Sequence, residues 1–185
     1  MTSGDTKLKP MPDNHFKGMV WWYKLTDFIW NPKRRLKKIP LREGMVVVDY
    51  GCGPGRYTLP IGKLIGPTGK VFAVDIQPLA IRMIKEKATH ESLTNIEALL
   101  VLSYDTGIQS SSADLVLLLD TLHEIGDCDV LFREIHRILK PDGILFMDPG
   151  HMKMSKAREI VEGIELFTVR EYQNNDMVLT PKDKQ

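Results

Sequence analysis

Three kinds of residue in this chain could do chemistry, and their spacing says which kind. Asp49 stands two residues before the first of three glycines, Gly51, Gly53 and Gly55, set at alternate positions. Glycines so placed let the backbone turn tightly and let a ligand approach it closely. A dinucleotide loop would carry its third glycine at the sixth position, where the pyrophosphate meets the helix; here that position is Arg56. A carboxylate aimed into the loop would repel a pyrophosphate and suit a cationic group such as an α-ammonium. No Gly-Lys-Ser/Thr follows, which argues against a P-loop. Further on, Asp75 ends a second apolar run, and an acid there, about 20 residues after a glycine loop, can accept hydrogen bonds from both hydroxyls of a ribose. The third group is Asp120-Thr121-Leu122-His123-Glu124 after a fourth apolar run. His123 is the candidate catalytic residue, because imidazole titrates near neutral pH and can act as a general base. A packing or orienting histidine is the competing reading.

These residues need a scaffold that gathers strand ends. Val46-Val47-Val48 is an apolar, β-branched run of the kind buried on both faces of a parallel sheet. Tyr57, Leu59, Ile61, Leu64 and Ile65 can form one face of a following helix. The alternation continues. Strands are expected at 70–76, 96–102, 113–119 and 144–148. Helices are expected after Pro78, from an Asp127–Asp129 cap and over 155–163, with Lys140-Pro141-Asp142-Gly143 stopping the second of these. A hairpin around Asn174-Asn175 closes the chain. In open α/β sheets the ligand lies outside the carboxyl ends of the strands.

Asp49-x-Gly51-x-Gly53-x-Gly55 together with Asp75 resembles motif I and the ribose acid of the class I S-adenosylmethionine (SAM) methyltransferases. The segment after the fourth strand is similar to that of the small-molecule methyltransferases of ubiquinone and menaquinone biosynthesis. The resemblance covers about residues 40–180. It implies a single Rossmann-like α/β domain with a seven-stranded, mostly parallel sheet, order 3-2-1-4-5-7-6, the last strand antiparallel. It implies SAM as cofactor, S-adenosylhomocysteine as product and a small-molecule methyl acceptor. Asp49, Gly51, Cys52, Gly53 and Gly55 would hold the amino-acid end, Asp75 the ribose and Ile76 the adenine. Leu119 and Asp120 would lie near the methionine part and His123 near the methyl. Relatives carry an acid directly after the third strand for the adenine amino group. This chain has Leu102-Ser103 there, which leaves Asp105 or the backbone of Ser103 and Tyr104 for that contact.

Two readings compete with a methyltransferase: a non-catalytic SAM-fold scaffold, and an NAD-dependent oxidoreductase, which the glycine spacing disfavours. The 185 residues suit one domain. Residues 1–15 are polar and proline-bearing and read as a flexible arm. Residues 16–40 form an aromatic and basic helical segment. Its Trp21, Trp22, Tyr23 and Trp30 could pack on the sheet edge, cover the glycine loop, or make a lid over cofactor and substrate. Residues 41–185 are the SAM-binding domain. The cluster Lys33, Arg34, Arg35, Lys37, Lys38 reads as the solvated face of a short helix around Leu36 and Ile39, with an anionic-substrate or lipid patch as the alternative. A net charge of +1 gives no reason to expect nucleic acid. Two cysteines, Cys52 and Cys128, make neither a disulfide framework nor a zinc set, so no metal is expected and a reducing, cytoplasmic location is the plain reading. No run approaches the roughly 18 apolar residues of a membrane span. His151, in the loop after the fifth strand, is a further candidate substrate contact.

Overall fold

A computed structural model describes residues 8–29, 32–173 and 175–183. The glycine loop is held from behind by a seven-stranded sheet of order β3-β2-β1-β4-β5-β7-β6. Its strands are β1 (Val46–Tyr50), β2 (Lys70–Asp75), β3 (Ile96–Leu100), β4 (Ala113–Leu118), β5 (Leu139–Met147), β6 (Phe167–Gln173) and β7 (Asp176–Pro181). The pairs β1–β2, β1–β4, β2–β3 and β4–β5 are parallel. β7 runs antiparallel to both β5 and β6. The helices are α1 (Asp13–Ile29), α2 (Pro32–Leu36), α3 (Thr58–Leu64), α4 (Pro78–His90), α5 (Cys128–Ile138) and α6 (Met154–Ile164).

Side chains alternate across a strand, and here each alternate set meets its own helical layer. Val48, Val116 and Leu118 pack with Leu131, Phe132 and Ile135 of α5 and Ala157 and Val161 of α6. Val47, Leu115 and Leu117 pack on the opposite face with Ile61 of α3 and with Leu36 and Ile39 at and just beyond α2. Burial on both faces explains why the central strands read as unbroken apolar runs. Local chemistry sets the helix starts. Pro78 opens α4 at a position where its missing N–H costs nothing, and the Asp127 carboxylate accepts the Val130 N–H at the head of α5 (3.1 Å).

Two expectations change. Lys140-Pro141-Asp142-Gly143 does follow the end of α5, but the chain enters β5 at once, at Leu139, with a register shift against β4 between Ala113 and Leu115. Gly143 is needed there because a Cβ would stand 3.0 Å from the carbonyls of Ala113 and Lys140. The first helix begins at Asp13, inside the stretch read as a flexible arm. The residues just before it are tethered as well: the Leu8 N–H donates to the Leu102 carbonyl (2.9 Å) and the Gln77 amide to the Met11 carbonyl (3.2 Å). Residues 1–7, Trp30 and Asn174 lie outside the described residues, as do the side chains of Phe28 and Ile29.

Candidate active site

The carboxyl ends of β1, β2, β4 and β5 surround a hollow of about 810 Å³. The glycine loop forms one wall. Gly51 (φ +78°) must be glycine twice over: its conformation is left-handed, and a Cβ would overlap the Thr121 side chain, 2.6 Å from Cγ2. Gly53 (φ +49°) has nothing within 4 Å of where a Cβ would stand, so its backbone is open to a ligand.

Asp75 ends β2 beside this loop. Its Oδ2 accepts the Gly53 N–H and its Oδ1 the Gln77 N–H, both at 2.8 Å. Burial pushes its carboxyl up, and these backbone bonds oppose the rise. Gln77 is 3% exposed; its amide nitrogen is engaged by Met11 and Asp13, while its Oε1 is buried with no hydrogen-bond partner. A buried carbonyl oxygen left so costs free energy unless a donor arrives, which makes Gln77 a candidate ligand contact that sequence reasoning missed.

At the other end, Leu119 and Asp120 leave the tip of β4. Asp120 adopts φ +52°. Its N–H donates to Asp148 Oδ1 (2.9 Å), and its Oδ2 accepts the Tyr23 hydroxyl of α1 (3.0 Å). Burial, and next the Asp120 charge, raise the Tyr23 phenol well above its ordinary value, so it stays protonated and donates. Arg56, at the sixth loop position, lies 5.3 Å from the centre of the Tyr23 ring. Thus α1 closes one side of the hollow through Phe16, Met19, Trp22 and Tyr23, while Trp21 and Trp22 remain 63% and 60% exposed. His123 sits in a single 3-10 turn, Leu122–Glu124, and Gly150 presses on its ring: a Cβ at Gly150 would meet His123 Cε1 at 3.0 Å.

Of the residues proposed from sequence, Gly51, Cys52, Gly53, Asp75, Ile76, Tyr104, Leu119, Asp120 and His123 line this hollow. Asp49, Gly55 and Ser103 do not. Asp49 is 3% exposed behind the loop, where its Oδ2 accepts the Thr58 hydroxyl (2.5 Å), and burial pushes its carboxyl up to about 6. It braces the start of α3 rather than aiming into the loop. Gly55 (φ +83°) serves packing, since a Cβ would lie 3.1 Å from Ile84 Cγ1 and closer still to Leu59. Ser103 is passed over in the turn that sends Tyr104 inward. The Tyr104 carbonyl is already taken by the Tyr50 hydroxyl (3.1 Å), and Asp105 is exposed, its carboxylate turned to the Gly107 N–H. Cys52 lines the wall as an inert thiol, raised well above its usual value by burial and by Asp75 and Asp49.

The basic cluster is corrected in part: Arg34 and Lys37 are exposed as expected, while Arg35 and Lys38 are engaged. Arg35 is not on a solvated face: its guanidinium bridges Asp148 (2.5 Å) and Asp176, and Lys38 adds a contact to Asp176 (3.3 Å). Both carboxylates are nearly fully buried, so the pull of burial had to be met by a cation from elsewhere in the chain. The cysteine count hid one more grouping, because the fold brings Asp120, His123 and His151 together from the tips of two neighbouring strands.

A family model described as a methyltransferase domain matches residues 41–176. The chain belongs to the methyltransferase-domain family. The chain is 30% identical over 117 residues to a demethylmenaquinone methyltransferase of Staphylococcus aureus, a match covering 63% of this chain and 47% of that protein. The chain thus spans about half the length of the curated relatives it matches. Its fold is that of a SAM-dependent methyltransferase from Aquifex aeolicus (TM-score 0.81, 22% identity, 94% of this chain and 100% of that one). It is also that of a putative S-adenosyl-L-methionine-dependent methyltransferase from Methanococcus maripaludis (TM-score 0.78, 16% identity, 98% and 99%). SAM is the cofactor this membership implies, and the hollow fits it: an open glycine backbone, a carboxylate at the tip of β2 and a partnerless buried acceptor share one wall. Among the described residues no helix is long and apolar enough to cross a membrane.

Proposed function

We propose that this chain transfers a methyl group from SAM to a small or amphipathic molecule by in-line displacement. The observation that carries the reading is the continuity of one hollow from the Gly53 backbone and Asp75 at one end to Asp120 and His123 at the other. SAM, when bound, supplies an electrophilic methyl group on a positively charged sulfur. The chain's own part is alignment, from which much of the acceleration of such a reaction can come. Asp75 holds the ribose, Ile76 and Gln77 face the adenine, and the backbone of Gly51–Gly53 receives the amino-acid end. The helix α1 acts as a lid that keeps water out through Phe16, Met19 and the Tyr23–Asp120 bond. Where the acceptor must lose a proton, His123 is the group placed to take it. The apolar and aromatic side chains of α1 favour a small or amphipathic acceptor over a nucleic acid.

Calorimetric titration with SAM, S-adenosylhomocysteine and NAD tests the reading. Saturable binding of the first two alone is expected; binding of NAD alone overturns it, and failure of SAM to bind leaves only the scaffold role. His123→Ala is expected to abolish turnover while SAM still binds. Equal loss of both would make His123 structural.

A further inference from the structure

The acceptor end of the hollow contains a set of donor atoms that proton abstraction alone does not use. Nδ1 of His123 lies 3.9 Å, and Nε2 of His151 3.8 Å, from one and the same Asp120 oxygen, Oδ1. The donor atoms of the three residues all lie within 4.8 Å of one another. The two imidazoles meet edge to face, their centres 4.7 Å apart. Each donor has a reason to be where it is. The other Asp120 oxygen is anchored by the Tyr23 hydroxyl, which leaves Oδ1 to face the rings. The His123 ring is pressed into place by Gly150, and its Nδ1 is closed off from water without a hydrogen bond. A buried ring nitrogen in that state is costly; a ligand that takes its lone pair removes the cost.

We propose that Asp120, His123 and His151 form a three-ligand site for a divalent transition-metal ion of the zinc type. Two imidazole nitrogens and one carboxylate oxygen suit Zn²⁺ or its first-row neighbours, whereas Mg²⁺ and Ca²⁺ take oxygen sets. A tetrahedral zinc with bonds of about 2.0–2.1 Å places neighbouring donors about 3.3 Å apart, so the two pairs through Asp120 must each close by roughly half an ångström. His151, 81% exposed at its side chain, has the freedom to make that movement. The second nitrogen of His123 lies 3.9 Å from Glu124 Oε1, and a carboxylate beside the far nitrogen is what orients a metal-bound histidine. Three protein ligands leave a coordination position open.

This inference rests on the reading of that end as the acceptor end and narrows it. The open position takes an oxygen or sulfur atom of the acceptor, so the substrate class is an alcohol, phenol or thiol. Its O–H or S–H bond breaks at the ion, the proton passes to water, and the electron pair stays on the ligating atom. His123 then holds the ion through Nδ1 instead of acting as the base.

Chelator-stripped protein titrated with Co²⁺, followed by the visible absorption of the bound ion and displaced by Zn²⁺, tests the site. One ion per chain is expected. His151→Ala, an exposed position whose replacement leaves the core intact, should weaken binding at least tenfold, and His90→Ala, on the distant end of α4, should not. No saturable binding, or His151→Ala binding at wild-type strength, overturns the proposal; the latter would mean an adventitious ion only. Calorimetry with SAM on the same stripped sample separates the two claims. SAM binding without Co²⁺ binding removes the metal and keeps the methyltransferase, while absent SAM binding removes the enzymatic reading whatever the ion does.

Discussion

The two ends of the hollow are built by different means. At the β2 end, Asp75 is held by main-chain N–H groups of Gly53 and Gln77, residues 22 and 2 positions away. At the β4–β5 end, side chains meet across long stretches of chain: Tyr23 to Asp120 over 97 residues and Arg35 to Asp176 over 141. Main-chain donors survive most side-chain replacements, so the first end keeps its shape under them. The second is made of replaceable side chains on separate elements. On the proposed reading it is the end where an acceptor could be changed without disturbing cofactor binding.

The largest effect should come from Gly51→Ala. A left-handed φ and the overlap with Thr121 act together, and a loss of about 3 kcal/mol in urea unfolding is expected; Gly53→Ala, with open space around it, should cost only about 1 kcal/mol. Equal losses would show that the loop lacks the division of labour described. Next, Arg35→Met leaves Asp148 and Asp176 buried against a weaker counter-charge, and about 3 kcal/mol should be lost by the same measure. A smaller loss would place that end's stability elsewhere.

Asp49→Asn should act in the opposite sense. The folded carboxyl titrates near 6, above its value of about 3.9 in an unfolded chain. The folded state therefore binds a proton that the unfolded state has released. This contribution is fully present below about pH 4 and is lost as pH rises through 6, a swing on the order of 2–3 kcal/mol. The asparagine variant should remove that slope from a pH series of melts and be no less stable at pH 8. Finally, Asp75→Ala should weaken SAM about tenfold or more by calorimetry, because a hydrogen bond to a charged group contributes about 1.5–3 kcal/mol. Unchanged affinity would remove Asp75 from the site.

The β2 end was readable because its signals are local. The β-branched run, the glycine spacing and the acid after the second strand lie within Val46–Asp75, and the strand order followed from the family resemblance that those signals carry. Asp49 misled because a motif gives sequence position and not side-chain direction; the Thr58 hydroxyl that claims it is simply the residue that α3 begins on. Arg35 misled because basic clusters usually face water, and nothing near residue 35 reveals two buried carboxylates waiting at the ends of β5 and β7. Gln77 and the pairing of His123 with His151 were invisible for the same reason: each depends on which strand tips become neighbours. A cysteine count says nothing about histidines gathered by topology.

The Arg35 bridge also has a bearing on how the molecule is made. Synthesis delivers the arginine first, Asp148 later and Asp176 last of the three, 141 residues after the arginine. Before then the amino-terminal segment can dock through Tyr23 on Asp120 and through Arg35 on Asp148, and only the last carboxylate of the bridge is missing. A polypeptide cut short before the β6–β7 hairpin would carry the glycine loop and Asp75 and still lack the second carboxylate that latches Arg35.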